Sequence, residues 1–218
     1  MTNGIRQGSL ISPYIFNVQI DDSNEKRSSS KLGCHIGTLP CNTFSYADDF
    51  AILAPSALSL NMMLEICGEY ANENLVEFNT GKIVVLLVNP HKSVVVTKQN
   101  IYLNNQSLSY VDKFKYLGHF ISEGFTDDED IDRERRNLAK RGNVLIRKFM
   151  YCSDEIKCLL FRSFCYQLYT CALWSKYKKA SLNRLNVCYN QIMRRLISLP
   201  TWHSASAMFA TLGVRSFQ

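Results

Sequence analysis

The stretch Thr43-Phe44-Ser45-Tyr46-Ala47-Asp48-Asp49-Phe50-Ala51-Ile52-Leu53-Ala54 places two adjacent carboxylates between two largely apolar runs and carries no other charge. Aromatic and aliphatic residues on both sides of the Asp-Asp pair predict strand, tight turn, strand, with aspartate supplying the local hydrogen bonds of the turn. Such a hairpin holds both carboxylates at its tip. Like charges on neighbouring residues repel, so a fold that fixes them between apolar strands has to neutralise them or give them a cation. Mg²⁺ suits the position, because it takes carboxylate oxygens and keeps waters and substrate phosphates as its other ligands. A solvated Asp-Asp turn joining two core strands satisfies the same pattern, and only the surrounding sequence separates the two readings.

With 218 residues, 46% of them hydrophobic, the chain has room for one large or two small domains and enough apolar side chain for a core, so disorder is not the default. The net charge of +6 is unevenly placed. Residues 1–125 carry 9 Lys and Arg against 11 Asp and Glu, whereas residues 133–218 carry 16 against 3, a net of +13. The basic second half predicts contact with a polyanion, although a solvated helix exterior accounts for the same charges. The eight cysteines include no Cys-x-x-Cys, and no histidine pair has zinc-ligand spacing, so a zinc knuckle is not indicated. Met1–Arg6 has no apolar signal core, and no apolar run reaches membrane-spanning length. The expectation is an intracellular protein, nuclear or cytoplasmic and not secreted, with reduced cysteines and no membrane partner.

Along the chain, Gly4-Ile5-Arg6-Gln7-Gly8 precedes Ser12-Pro13, a good N-cap and first helical residue, and the glycines permit close approach of a ligand to the backbone. Residues 21–31 read as a polar connector. Ser56 is placed to cap a helix whose apolar positions Met63, Ile66, Cys67 and Tyr70 recur in steps of three and four, with Asn72–Asn74 weakening its end. Ile83–Val88 predicts a buried strand, Val94–Val96 and Ile101–Leu103 further strands, and Asn104-Asn105 a hairpin or loop. Phe114–Ile121 alternates apolar and polar residues, as in an exposed strand with one buried face. The character changes to helix near 123–127. One helix starts at the acidic cluster Asp127–Asp130 with Ile131, Leu138, Leu145 and Phe149 in register. A second spans 154–173 with Ile156, Leu160, Phe164, Leu168 and Cys171 on one side. A third follows Leu182, Leu185, Tyr189, Ile192, Leu196 and Leu199 and leaves Arg184, Arg194 and Arg195 off its inner seam.

Taken in order, Gly4–Asn17, Tyr46-Ala47-Asp48-Asp49, Asn79-x-x-Lys82 and Phe114-Lys115-Tyr116-Leu117-Gly118 resemble the motifs of reverse transcriptases from non-long-terminal-repeat retrotransposons. The resemblance implies an α+β fold: a partial right-hand polymerase palm over residues 1–125, an antiparallel sheet with helices, and a basic helical thumb-like region over 126–218. It implies an RNA-directed DNA polymerase that transfers nucleotides from dNTPs to a primer 3′-hydroxyl, with an RNA template, a DNA primer or RNA–DNA hybrid, and dNTP as partners. Two Mg²⁺ ions would clamp the attacking and leaving oxygens. By resemblance, Asp48 and Asp49 are the catalytic, metal-binding carboxylates. Arg6, Gln7, Gly8 and Tyr46 lie near template and nucleotide, and Lys82 stabilises or protonates the leaving pyrophosphate. Lys115, Tyr116, Leu117 and Gly118 grip the primer backbone. An exposed loop lysine and a plain structural strand remain open for the last two motifs.

The sequence departs from the family pattern in two places. The carboxylate motif that normally precedes Gly-x-x-Gln-Gly lies upstream of the residues present, and Asp21 and Asp22, which follow that motif in the polar connector, read as turn residues. Ile83 stands where relatives usually have a small hydroxyl residue. No endonuclease domain or cysteine-rich finger is legible. The expectation is a polymerase portion inactive alone for want of its first aspartate, or a non-catalytic nucleic-acid-binding remnant or domesticated transposon-derived protein.

Overall fold

The computed structural model of the chain describes residues 32–46, 49–74, 78–89 and 97–217. They gather into two compact units. The first takes the described residues up to Leu87 and again through Asp112; the second takes Lys113 onward together with Val88 and Asn89. The Ser12-Pro13 helix start, the 21–31 connector and the Val94–Val96 strand lie outside the described residues.

In the first unit a short hairpin, β1 (His35–Ile36) and β2 (Leu39–Pro40), leads into β3 (Thr43–Tyr46) and β4 (Asp49–Ile52). β3 and β4 pair antiparallel from Thr43 opposite Ile52 to Tyr46 opposite Asp49. Both expected strands are present and paired; residues 47 and 48, between them in sequence, lie outside the described residues. α1 (Ala57–Asn74) starts where expected: Ser56 Oγ accepts the Ser59 N–H at 3.1 Å. Met63, Leu64, Cys67 and Tyr70 are buried, and the Asn74 amide donates to Tyr70 O at 2.9 Å near the helix end. The Asn61 side chain fastens α1 to the neighbouring strand by donating to Asn100 O at 3.2 Å and accepting the Tyr102 N–H at 3.0 Å.

β6 (Tyr102–Leu103) and β7 (Gln106–Ser107) form a hairpin around Asn104 and Asn105. Both asparagines have positive φ, 48° and 61°, the backbone that a two-residue turn with right-handed strand twist demands. The run expected as a buried strand over Ile83–Val88 is shorter and less buried. β5 (Val84–Leu86) pairs in parallel with β8 (Ser109–Val111), and Val85 joins Leu64, Ile101, Leu103 and Leu108 in the core while Val84 and Val88 stay exposed. A three-residue strand buries only alternate side chains, whatever the hydrophobicity of the run.

The second unit opens with a hairpin rather than the single strand expected over Phe114–Ile121. β9 (Lys113–Tyr116) and β10 (His119–Ser122) pair antiparallel, and Leu117-Gly118 turns between them with φ of 45° and 87°. This hairpin packs on the helices, so the division between units falls at Asp112/Lys113, earlier than the change of character near 123–127. The helices are α2 (Asp128–Phe149), α3 (Asp154–Cys165), α4 (Lys179–Leu196) and α5 (Ala205–Leu212), with a single 3-10 turn at Cys171–Leu173. Ile131, Leu138 and Leu145 of α2 meet Leu185, Tyr189 and Ile192 of α4 in one core, in the expected registers.

α3 ends well short of residue 173, and its inner face is Cys158, Phe161 and Cys165; Ile156 and Phe164 are half exposed. After it the chain leaves helical geometry, reaching the left-handed region at Thr170 (φ 68°). α5, for which the residues gave no expectation, is capped by Ser204, whose Oγ accepts the Ala207 N–H at 3.4 Å. Among the described residues no helix is long and apolar enough to cross a membrane, and none of the eight cysteines is in a disulfide.

Candidate active site

Tyr46 and Asp49 are cross-strand partners at the tip end of the β3–β4 hairpin, next to the connection between its strands. Tyr46 closes β3 and is 67% exposed, and Asp49 opens β4 and is exposed. Asp48, between them in sequence, lies outside the described residues, as do Arg6, Gln7 and Gly8. Lys82 is exposed in the turn before β5, its N–H donating to Asn79 O at 2.9 Å. The Asn-x-x-Lys spacing is thus that of a hydrogen-bonded turn, which presents the lysine to solvent.

Lys115 is exposed on β9, directly opposite Phe120, and Leu117-Gly118 forms the turn. Gly118 is enforced twice: its φ of 87° disfavours a side chain, and a Cβ there would lie 2.5 Å from the Tyr169 ring. Tyr169 also donates its hydroxyl to Leu117 O at 3.2 Å.

Behind the hairpin sits a polar centre that the sequence reading assigned only to the helix dipole. Asp130 is fully buried. Its Oδ1 accepts the Phe120 N–H at 3.1 Å and Arg133 Nε at 2.8 Å; its Oδ2 accepts Thr170 Oγ1 and Trp174 Nε1, both at 2.8 Å. Burial pushes the carboxyl pKa up, but the hydrogen bonds from Arg133, Trp174, Thr170 and Phe120 outweigh it and hold the pKa down at about 2. His119 Nδ1 lies 3.1 Å from Asp130 Oδ2, and its Nε2 3.6 Å from Asp127 Oδ1. Asp127 Oδ2 accepts the backbone N–H groups of Ser175 and Lys176, both at 2.8 Å. The available signal was the indole of Trp174 together with an acidic cluster exceeding what one helix terminus needs.

The basic charge is partly spent inside this unit. Arg133 pairs with Asp130 and with buried Glu134, and Arg141 Nη2 lies 3.6 Å from Glu134. Counted with its acidic start, the region 126–218 carries 16 Lys and Arg against 8 Asp and Glu. Three further arginines, Arg135, Arg184 and Arg195, line an open groove of about 410 Å³ between α2 and α4 together with Asn143, Asn183 and Gln191. Arg135 is shared with Asp132, whose pKa is lowered first by that hydrogen bond.

Residues 1–121, more than half of the chain, match the family model described as reverse transcriptase (RNA-dependent DNA polymerase). The chain belongs to the reverse transcriptase family. Similar proteins include the retrovirus-related Pol polyprotein from type-2 retrotransposable element R2DM of Drosophila melanogaster, 26% identical over 147 residues, 63% of this chain and 14% of that protein. The retrovirus-related Pol polyprotein from type-1 retrotransposable element R2 of Popillia japonica is 28% identical over 123 residues, 54% of this chain and 17% of that protein. The chain thus spans less than a fifth of either relative. These findings agree with the resemblance to reverse transcriptases of non-long-terminal-repeat retrotransposons.

Of the two carboxylates expected from the resemblance, Asp49 is open to solvent at the hairpin end, a donor type and an exposure that suit a hard divalent cation. Among the described residues no three His, Cys, Asp or Glu side chains come together to hold a metal. The residues that carried the resemblance divide between the units: Tyr46, Asp49 and Lys82 in the first, Lys115–Gly118 in the second.

Proposed function

We propose that this chain forms the palm-and-thumb portion of an RNA-directed DNA polymerase, in which residues 1–125 supply the palm and 126–218 the thumb. The observation that carries the reading is the β3–β4 hairpin, which joins its strands through two residues and opens onto Asp49. Asp48 and Asp49 would hold Mg²⁺, which when bound supplies Lewis-acid activation and charge neutralisation for phosphoryl transfer. Tyr46, beside Asp49, offers an aromatic face to the incoming nucleotide, and Arg6, Gln7 and Gly8 line the template and nucleotide side. Lys82, exposed in its turn, neutralises charge on the departing pyrophosphate. Lys115 contacts a primer phosphate, with Tyr116, Leu117 and Gly118 shaping the strand and turn that present it. A third carboxylate, outside these residues, completes the metal site, so the 218 residues alone do not extend a primer.

Primer extension on an RNA template tests this reading, using the chain alone and joined to an upstream fingers segment that carries the missing carboxylate. Asp48-dependent synthesis by the joined protein supports it, and its absence removes catalytic competence. A second reading, a non-catalytic binder of nucleic acid, is favoured by the arginine-lined groove between α2 and α4. It requires binding to an RNA–DNA hybrid that weakens steeply with salt.

A further inference from the structure

The β9–β10 hairpin is held at its tip and along its β10 edge by two residues outside it, Tyr169 and Asp130. At its tip, Tyr169 donates to Leu117 O at 3.2 Å, and its ring fills the space beside Gly118. At its outer edge, Asp130 takes the Phe120 N–H at 3.1 Å. Tyr116 and His119 close the two-residue turn as the hydrogen-bonded pair, so at the next rung, Lys115 opposite Phe120, the amides point away from the ladder. Asp130 therefore satisfies an edge donor that β9 cannot reach. That anchor lies on the same rung as Lys115, which is exposed.

The anchors are themselves tied together. Thr170 follows Tyr169 in sequence and donates to Asp130 Oδ2 at 2.8 Å, Trp174 donates to the same oxygen, and Arg133 reaches both Asp130 at 2.8 Å and Thr170 Oγ1 at 3.2 Å. Hairpin tip, hairpin edge, α2 and the segment 169–174 thus share one polar centre whose carboxylate is fully buried. Satisfied networks of this kind fix one geometry, because every alternative leaves a buried donor or charge without a partner.

We propose that Asp130 and Tyr169 are positioning residues: acting through the β9–β10 hairpin, they hold Lys115 and the Leu117-Gly118 turn in the orientation that meets a nucleic-acid backbone. The proposal rests on the reading of Lys115–Gly118 as a primer-contacting hairpin. It requires that the two anchors matter for binding only while Lys115 is there to be positioned.

The test is a set of double-mutant cycles read as affinity for a fluorescent RNA–DNA hybrid at low salt, on the full 218-residue chain, with circular dichroism reporting the fold. The variants are Lys115→Ala, Tyr169→Phe and Asp130→Asn, singly and with each anchor change combined with Lys115→Ala. Tyr169→Phe and Asp130→Asn are expected to weaken binding in the parent and to have no further effect beside Lys115→Ala. Equal weakening in both backgrounds, or anchor variants that bind as the parent does, overturns the proposal. Parent-like binding by Lys115→Ala alone shows instead that the hairpin reading has failed, and the proposal falls with it. Where Asp130→Asn does not fold, Tyr169→Phe, which keeps the ring and removes one hydrogen bond, decides the outcome.

Discussion

Gly142 of α2 lies directly against Ile192 of α4: a Cβ at position 142 would come within 2.5 Å of Ile192 Cγ2 and 2.8 Å of its Cδ1. Both positions belong to the seam between the two longest helices of the second unit, and neither tolerates added volume. Helix propensity alone favours alanine over glycine by about 1 kcal/mol. Packing is expected to reverse that sign. Gly142→Ala should lower stability by about 1–3 kcal/mol through overpacking. Combined with Ile192→Ala it should cost less than the sum of the two single changes, because the clashing branches are gone. Urea unfolding of the four proteins checks this, and a Gly142→Ala protein as stable as the parent contradicts it.

Asp130 makes acid sensitivity a second test. Its folded pKa of about 2 lies below the value of about 3.9 for an unfolded aspartate, so its contribution is complete above the unfolded value and is lost as pH falls through the folded one. The amount is on the order of 2 kcal/mol, shed between about pH 4 and pH 2. Asp130→Asn removes the charge beside Arg133 and should cost about 3 kcal/mol near neutral pH. The gap between parent and variant should narrow across the same acidic window. Denaturant midpoints measured down to low pH report it, and a gap that stays constant refutes the assignment.

Charge that remains on the surface governs a third expectation. Each arginine neutralising a phosphate adds about 0.7–0.9 to the slope of log affinity against log salt. Arg184→Ala and Arg195→Ala, both on the exposed side of α4, should each reduce the slope for hybrid binding by about that much. Arg133 is tied to Asp130 and Glu134, so Arg133→Ala should act on stability and leave the slope unchanged. Slopes unaffected by Arg184 and Arg195 would move the nucleic acid off this groove.

What the sequence made legible is local. The Ser56 cap, the three- and four-residue steps of α1, α2 and α4, the Asn104-Asn105 turn and the hairpin around Asp48-Asp49 each depend on residues within a few positions of one another. What it concealed depends on distant partners. Phe114–Ile121 reads as one strand because apolar and aromatic residues continue on both sides of Leu117-Gly118, a pair without the usual turn residues at both positions; the turn is held there by Tyr169, 52 residues away from Leu117. The end of α3 is hidden for a similar reason, since Leu168 and Cys171 continue the apolar spacing while Thr170 and Trp174 are drawn to Asp130. At the candidate site, the motif order pointed to Tyr46, Asp49 and Lys115. The acidic cluster did not single out Asp130 among its four members; its importance comes from four donors converging on it.

In the proposed polymerase, Asp48 and Asp49 supply carboxylates of a phosphoryl-transfer site completed from outside these residues. Single-turnover primer extension on an RNA template with Mg²⁺ tests it most directly, using the chain joined to an upstream segment that carries the third carboxylate. Losing one metal ligand forfeits several kcal/mol of charge stabilisation, so Asp48→Asn should slow nucleotide addition by at least about 10²–10³-fold. Hybrid affinity should be nearly unchanged. Extension by Asp48→Asn at the parent rate, or synthesis by the 218 residues alone, would contradict the account.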